Sequence, residues 1–347
     1  IPLGILLMNS SSLSSLPLRC PLSGSSLELL DNDREILAIN EAIEKGDLTL
    51  AAGTIPKGAI DSILISADGQ NRYPVIDGVP CLLGDFRIVK YEENDSVKTI
   101  DLQMSSLQRK QWKAVTARYE RWVGGPDGII TKTQEEFQRR NTSLLSEVKN
   151  GAVILDVGNG GATSSELLGQ KIADSIQTFY ALDNSYPMLT RSGTREGNIL
   201  GDARSIPLSD NSVDYVTINN VLHHLGRHVD AEPSIKMKEV FDEAFRVSRK
   251  GIIGVEVLVP HIGEQLEILA LQFLKFMPTF VYSEGFYRNL MTDLGAEIID
   301  FESIFQCKLM SPFKFFPPIM DLPFIQLPAF LMPYSFLFYH LRSNASD

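Results

Sequence analysis

Cysteine is scarce in this chain. There are three in 347 residues, Cys20, Cys81 and Cys307, with no CxxC pair and no regular spacing. A disulfide framework is excluded on that count, and a reducing compartment fits. Three scattered cysteines and five histidines also make a poor ligand set for zinc, so no metal is expected. Positive charge is the second shortage. Lys and Arg number 32 against 43 Asp and Glu, a formal net charge of -11 and a sequence pI near 5.0. Such a chain repels phosphate backbones, which argues against a broad nucleic-acid surface. One local basic group, Arg109, Lys110, Lys113, Arg118 and Arg121, sits on a predicted helix and reads as a solvated face. No run of about 18 apolar residues occurs, so no transmembrane helix is expected. The apolar stretch Ile1–Met8 lacks the basic region of a secretory signal. The expected location is therefore cytoplasmic.

Along the chain, residues 1–18 read as a loose N-terminus, with serine crowded between Ser10 and Ser15. Residues 27–48 mix acidic and apolar positions at helical spacing. Ile63–Ser66 and Asn71–Leu83 turn strand-like, with Asp68-Gly69 as a turn and Asp77-Gly78 as a hairpin dipeptide. Residues 19–95 thus form a small N-terminal α+β domain. From about residue 100 to 310 the pattern changes. Short apolar strands at Ala152–Val157, Phe179–Asp183, Val213–Ile218 and Ile252–Val259 alternate with helices starting at Ser164, near Pro187–Thr190 and at Glu239–Ser248. A helix over Ser283–Leu294 stops at Gly295, and a strand follows at Ile298–Phe301. That alternation predicts an α/β domain with a doubly wound, mostly parallel sheet. Residues 311–347 form a Pro/Phe-rich tail. Its prolines break any spanning helix. It reads as a wrap over the core or a dimer contact, or else as a lid or peripheral membrane contact.

The strongest chemical signal is the run Val153-Ile154-Leu155-Asp156-Val157-Gly158-Asn159-Gly160-Gly161-Ala162. An apolar strand enters a glycine-rich turn and then a predicted helix. Gly158 and Gly160 let the backbone turn tightly against a ligand, and amides at a helix start can face its polar groups. Alone, such a turn is also compatible with a plain strand-to-helix connection. Asp183 ends the next strand, about 25 residues further on, the spacing at which an acidic group meets a ribose diol. Gly201-Asp202-Ala203, Ile206-Pro207-Leu208, Ser212–Val216 and Asn219–Leu225 follow in order. Several of these lie at carboxyl ends of predicted strands, where open α/β sheets bind ligands. A nicotinamide site does not fit, because its third glycine is replaced by Thr163.

With those residues in view, the stretch from Ile154 to Val259 resembles the Rossmann-like core of class I methyltransferases that use S-adenosylmethionine (SAM), of the small-molecule type. The resemblance rests on Leu155–Gly160, Leu182–Leu189, Gly201–Val216, Val221–Leu225 and Glu243–Gly251. It implies that Asp156, Gly158 and Gly160 shape the methionine and ribose end of a SAM pocket. Asp183 would bind the ribose hydroxyls and Met188 would pack on the adenine. Asp202, with Ala203 beside it, would accept the adenine amino group, and Asn219 would lie under the methionine moiety. Asn159, Ala162 and the Arg249-Lys250-Gly251 turn depart from the common pattern. The cofactor would be SAM and the product S-adenosylhomocysteine. The N-terminal domain has its own resemblance, to the zinc-ribbon-type activator of RNA and release-factor methyltransferases. It is carried by Arg19-Cys20-Pro21-Leu22-Ser23, Leu64-Ile65-Ser66 and Arg72–Leu83. Ser23 and Ser66 stand where that family often has cysteine, which implies a metal-free version acting as a built-in scaffold or lid. Residues 27–60 read as an insertion in it.

Methyl transfer from a sulfonium needs a base only when the acceptor carries a proton to lose. His223 and His224 after the fourth strand and His261 after the fifth are the candidates. Tyr119 and Trp122 could close over the cofactor. The function implied is methyl transfer to a small-molecule or lipid-like acceptor. An rRNA or tRNA methyltransferase and a non-catalytic SAM-binding scaffold are the alternatives. The first of these is disfavoured by the low pI and by Asn219-Asn220-Val221-Leu222 in place of an NPPY-type strand end. The acceptor atom and the oligomeric state are not legible.

Overall fold

The computed structural model describes residues 16–30, 32–51, 60–90, 151–160, 173–189, 197–225, 233–258, 282–304 and 335–342. The predicted helix at Ser164, the basic group at 109–121, Tyr119, Trp122, His261, Cys307 and the tail up to 334 lie outside them. The chain divides into two compact units, residues 1–214 with 246–249, and residues 215–245 with 250–347.

The first unit opens with a small α+β part. Strands β1 (Leu27–Leu30), β3 (Ser62–Ser66), β4 (Arg72–Ile76) and β5 (Val79–Pro80) form an antiparallel sheet in the order β1-β3-β4-β5. Helix α1 (Asp33–Lys45) lies between β1 and β2 (Leu48–Leu50), and β2 pairs with β6 (Ile88–Lys90). The helical spacing read over residues 27–48 is thus corrected at both ends. Leu27–Leu30 pair in register with Ser66–Ile63, and the helix is confined between an Asn32 cap and a Gly46 stop. The Asn32 side chain accepts the Arg34 and Glu35 N–H groups at 3.2 and 3.4 Å. Gly46 takes a left-handed φ of 81°. There the Gly46 N–H donates to Ile43 O and the Asp47 N–H to Ala42 O, the paired bonds that close a helix end. The Asp77-Gly78 hairpin forms as read, with φ of 51° and 77°. Positive φ at both positions gives the turn whose twist matches its strands.

The remaining strands of this unit are β7 (Ala152–Val157), β8 (Ile176–Asp183) and β9 (Asn198–Leu200), all parallel, in the order β7-β8-β9. A single helical turn, α2 (Tyr186–Leu189), follows β8. The small part and these strands share one apolar core. Ile39, Ile43, Leu50, Ile63, Ile76 and Val79 cluster with Ala181, Leu189 and Leu200. The backbone is joined as well. Leu82 N–H donates to Leu200 O at 2.7 Å, Arg19 N–H to Pro207 O at 3.1 Å and Ser209 N–H to Pro17 O at 2.8 Å.

Strand β10 (Val213–Asn219) starts in the first unit and runs into the second. The second unit continues with α3 (Pro233–Val247), β11 (Ser248–Leu258), α4 (Glu284–Asp293), β12 (Glu297–Ile304) and β13 (Ser335–Arg342), with strand order β10-β11-β13-β12. Helix α3 buries Met237, Val240, Phe241, Ala244 and Val247, the i, i+3, i+4 stripe of an amphipathic helix. β13 is antiparallel to both β11 and β12. These residues belong to the stretch read as a Pro/Phe-rich tail, and here they are an interior strand. Leu337, Phe338, Tyr339, His340 and Leu341 are all buried. A strand covered on both faces has no polar alternation, so its sequence reads as a greasy run. The fold class is Rossmann-like α/β with a mixed parallel and antiparallel sheet and a smaller N-terminal α+β subdomain.

Candidate functional site

The glycine turn after β7 is held by its neighbours on β8. Gly158 and Asn159 both donate their N–H groups to Leu182 O, at 2.8 and 3.3 Å. Gly158 and Gly160 have φ of 69° and 62°, a backbone region that non-glycine residues seldom enter. Asp156 is buried, and its Oδ2 accepts Asn159 Nδ2 at 2.8 Å. Asn159 therefore has a local duty here: it supplies a donor to a buried carboxylate.

Asp183, the last residue of β8, closes the other side of this turn. Its Oδ2 accepts Gly160 N–H at 3.0 Å and its Oδ1 accepts Ser185 N–H at 2.9 Å. Burial pushes the Asp183 carboxyl above the ordinary carboxylate range, against the opposing pull of the Gly160 and Ser185 amides. The Asn184 amide adds a further backbone contact, so the carboxylate is oriented by the backbone of the turn. Met188 on α2 is buried, and its Cε lies 3.4 Å from where a Cβ on Gly160 would stand. The turn, Asp183 and Met188 thus form one cradle, and the left-handed φ at Gly160 disfavours a side chain there.

Asp202 follows β9. Arg204 forks onto its carboxylate, Nε to Oδ1 at 3.0 Å and Nη2 to Oδ2 at 2.6 Å, while the Arg204 N–H adds a second bond to Oδ1. Partial burial acts to raise the Asp202 carboxyl, and the Arg204 contacts outweigh it, so the net shift is downward. Ala203 sits half-buried between them. This Arg204 partner was not anticipated from sequence.

The small N-terminal part touches the same loops. Tyr186 Oη donates to Asp77 Oδ2 at 2.8 Å, and Ser205 Oγ donates to Pro21 O at 3.0 Å. Nothing in the comparisons with known proteins supports the expected zinc-ribbon-type activator domain or lost zinc ligands, and Cys20, Ser23 and Ser66, on which that resemblance rests, make ordinary polar contacts. Cys20 Sγ accepts Ser23 N–H at 3.4 Å and lies 3.5 Å from Tyr73 Oη. Ser66 Oγ donates to Asp68 and accepts Asn71 N–H at 2.9 Å. Among the described residues no group of three His, Cys, Asp or Glu side chains is placed to hold a metal ion, and no helix is long and apolar enough to cross a membrane.

In the second unit, Asn219 ends β10 and a short 3-10 turn, Leu222–His224, follows it. The rings of His223 and His224 stand 4.0 Å apart, and His224 is exposed. His223 Nδ1 is hydrogen-bonded to Glu256 Oε1 of β11, and Glu256 Oε2 accepts Leu222 N–H at 2.8 Å. Glu256 was missed in the sequence reading. Its signal is a lone charge inside the apolar run Ile252–Leu258, which in a buried strand demands a partner.

Part of the chain matches known proteins. The family described as Methyltransferase domain matches residues 155–253. A demethylmenaquinone methyltransferase of Staphylococcus epidermidis is 26% identical over 174 residues, 48% of this chain and 66% of that protein. One of Mycobacterium sp. (strain JLS) is 30% identical over 139 residues, 40% of this chain and 53% of that protein. The chain therefore spans just under two thirds of the first relative's length and about half of the second's. The magnesium protoporphyrin IX methyltransferase of Synechocystis PCC 6803, solved with bound SAH, superposes with a TM-score of 0.44 at 15% identity, over 69% of this chain and 99% of that one. Residues 155–253 are thus similar to a methyltransferase domain, and the Rossmann-like sheet described above is the fold typical of class I methyltransferases.

Proposed function

We propose that this chain transfers a methyl group from SAM to a small, lipid-like acceptor. The observation that carries the reading is Asp183, whose two carboxylate oxygens are fixed by the Gly160 and Ser185 N–H groups at the end of β8. A ribose diol needs such a pair of oriented acceptors. The cradle suits the rest of an adenosyl group. Gly158 and Gly160 keep the backbone open beside it, and Met188 offers a soft apolar face for the adenine. Asp202 Oδ2 has a lone pair left by the Arg204 fork for the adenine amino group, with Ala203 leaving space next to it. Asp156, steadied by Asn159, shapes the turn at the methionine end.

When bound, the cofactor supplies a methyl carbon already activated on a sulfonium, so orientation of the acceptor carries most of the rate. What supports a lipid-like acceptor is the likeness to demethylmenaquinone methyltransferases, together with the apolar, proline-broken residues 311–334. Demethylmenaquinone is the first acceptor to try. The N-terminal subdomain, in this reading, is a built-in scaffold for the adenosine loops, through Asp77 to Tyr186 and Leu82 to Leu200.

The test is calorimetric binding of SAM to the wild type and to Asp183→Ala. The expected result is clear binding by the wild type and at least about a tenfold loss in the variant, the size of one or more lost charge-assisted hydrogen bonds. A folded wild type that binds no SAM overturns the reading.

A further inference from the structure

Asp202 has most of its acceptor positions filled by one neighbour. Oδ1 accepts the Arg204 N–H at 2.9 Å and Arg204 Nε at 3.0 Å, and Oδ2 accepts Arg204 Nη2 at 2.6 Å. A carboxylate offers about four such positions, so one remains, on Oδ2. The guanidinium is planar and grips both oxygens, so the carboxylate cannot turn about its own bond without breaking the fork. The Arg204 side chain is 42% exposed, and an exposed ion pair adds little to stability. What the fork contributes is orientation.

The backbone under Asp202 is pinned as well, and within the same compact unit. Gly201 N–H donates to Asp183 O at 3.0 Å, continuing the parallel register that sets Leu200 beside Asp183. On the other side Ser205 N–H donates to Asp202 O at 3.0 Å, and Ser205 Oγ to Pro21 O at 3.0 Å. Asp183 and Asp202 therefore stand near the carboxyl ends of neighbouring strands, the ligand end of an α/β sheet, at a separation set by strand pairing.

We propose that Arg204 is the positioning residue that makes this site accept an adenine and reject a 6-oxo purine. This deepens the cofactor reading above and rests on it. An ionised Asp202 is an acceptor only, and its remaining position on Oδ2 takes an N–H of the exocyclic amino group. A 6-oxo purine brings a carbonyl oxygen to that point, so two acceptors meet with no proton between them. A freely turning carboxylate could swing from that oxygen to the N1–H of the 6-oxo ring. A forked one is denied that escape. Arg204 thus acts twice, by aiming the acceptor at the amino group and by removing the alternative that would let the wrong base bind.

The test is calorimetric titration of the full chain with S-adenosylhomocysteine and with its 6-oxo analogue, S-inosylhomocysteine. The wild type is expected to prefer the adenosyl ligand by about 10²-fold. Arg204→Met keeps a long apolar stem and removes the fork. It is expected to bind S-adenosylhomocysteine about tenfold more weakly and to hold a preference below about tenfold. Arg204→Lys, which restores the charge without the fork, is expected to show the same reduced preference. Asp202→Asn, whose amide can donate to a carbonyl oxygen, is expected to lose the preference or reverse it. A wild-type preference retained in Arg204→Met and Arg204→Lys, at whatever affinity, makes Arg204 an ordinary surface partner and overturns the proposal. So does a wild type that binds both ligands equally, or an Asp202→Asn variant that still prefers the adenosyl ligand. A folded wild type that binds neither ligand is a failure of the methyltransferase reading itself, and the proposal falls with it.

Discussion

Tyr186 donates its hydroxyl to Asp77 at 2.8 Å, across 109 residues of chain. Asp77 is the first residue of the hairpin turn in the N-terminal sheet. Tyr186 opens the helical turn that carries Met188 and lies three residues beyond Asp183. The bond ties the small subdomain to the loop that we assign to the adenosine of the cofactor. Tyr186→Phe removes it and keeps the ring. Loss of about 1 kcal/mol is expected for a partly exposed hydrogen bond to a carboxylate, read as a roughly fivefold weaker Kd for SAM by calorimetry. An unchanged Kd would mean that the subdomain does not support this loop.

The burial that raises the Asp183 carboxyl sets a pH dependence for cofactor binding. Because the folded pKa lies above the unfolded one, protonation is easier in the folded state. The contribution of Asp183 to stability is therefore greatest below the unfolded pKa and is lost as pH rises through the folded pKa. Binding runs the other way, since only the carboxylate accepts from both ribose hydroxyls. SAM affinity is expected to weaken on acidification, beginning above the ordinary carboxylate range. Asp183→Asn is expected to bind weakly and with a flat profile. Calorimetric titrations at several pH values decide this, and an equally steep profile in Asp183→Asn would assign the effect to another group.

Gly254 packs where β11 passes between β10 and β13. A Cβ there would run into the Tyr339 ring and the backbone oxygen of Ile218. Neither neighbour can retreat, because Tyr339 is buried, donates to that same oxygen and packs edge-on against Phe241. Gly254→Ala is expected to destabilise the chain by about 1–3 kcal/mol through overpacking, measured as a lower denaturation midpoint in urea at constant slope. A midpoint within error of the wild type would show that the strands can separate there.

Local chemistry made much of this protein legible from its sequence. A glycine turn needs glycine at Gly158 and Gly160 whatever surrounds it, and Asp77-Gly78 encodes its own hairpin through two positive φ values. Asp183 is set by its position at the end of an apolar run, and the stripe of α3 by its period. These features depend on a few adjacent residues and elementary sterics. Tertiary structure decided the rest. Nothing near Glu256 in sequence announces His223, 33 residues earlier, because the pair exists only through the placement of β10 beside β11. The partners of Asp77 and of Leu82 lie more than 100 residues away, on a loop and on an edge strand. β13 reads as an apolar tail because both its faces are covered, and only its pairing with β11 and β12 makes it an interior strand. The sequence determines which groups must be buried or bent. Which of them meet is decided by strand order and register, and these are properties of the whole sheet.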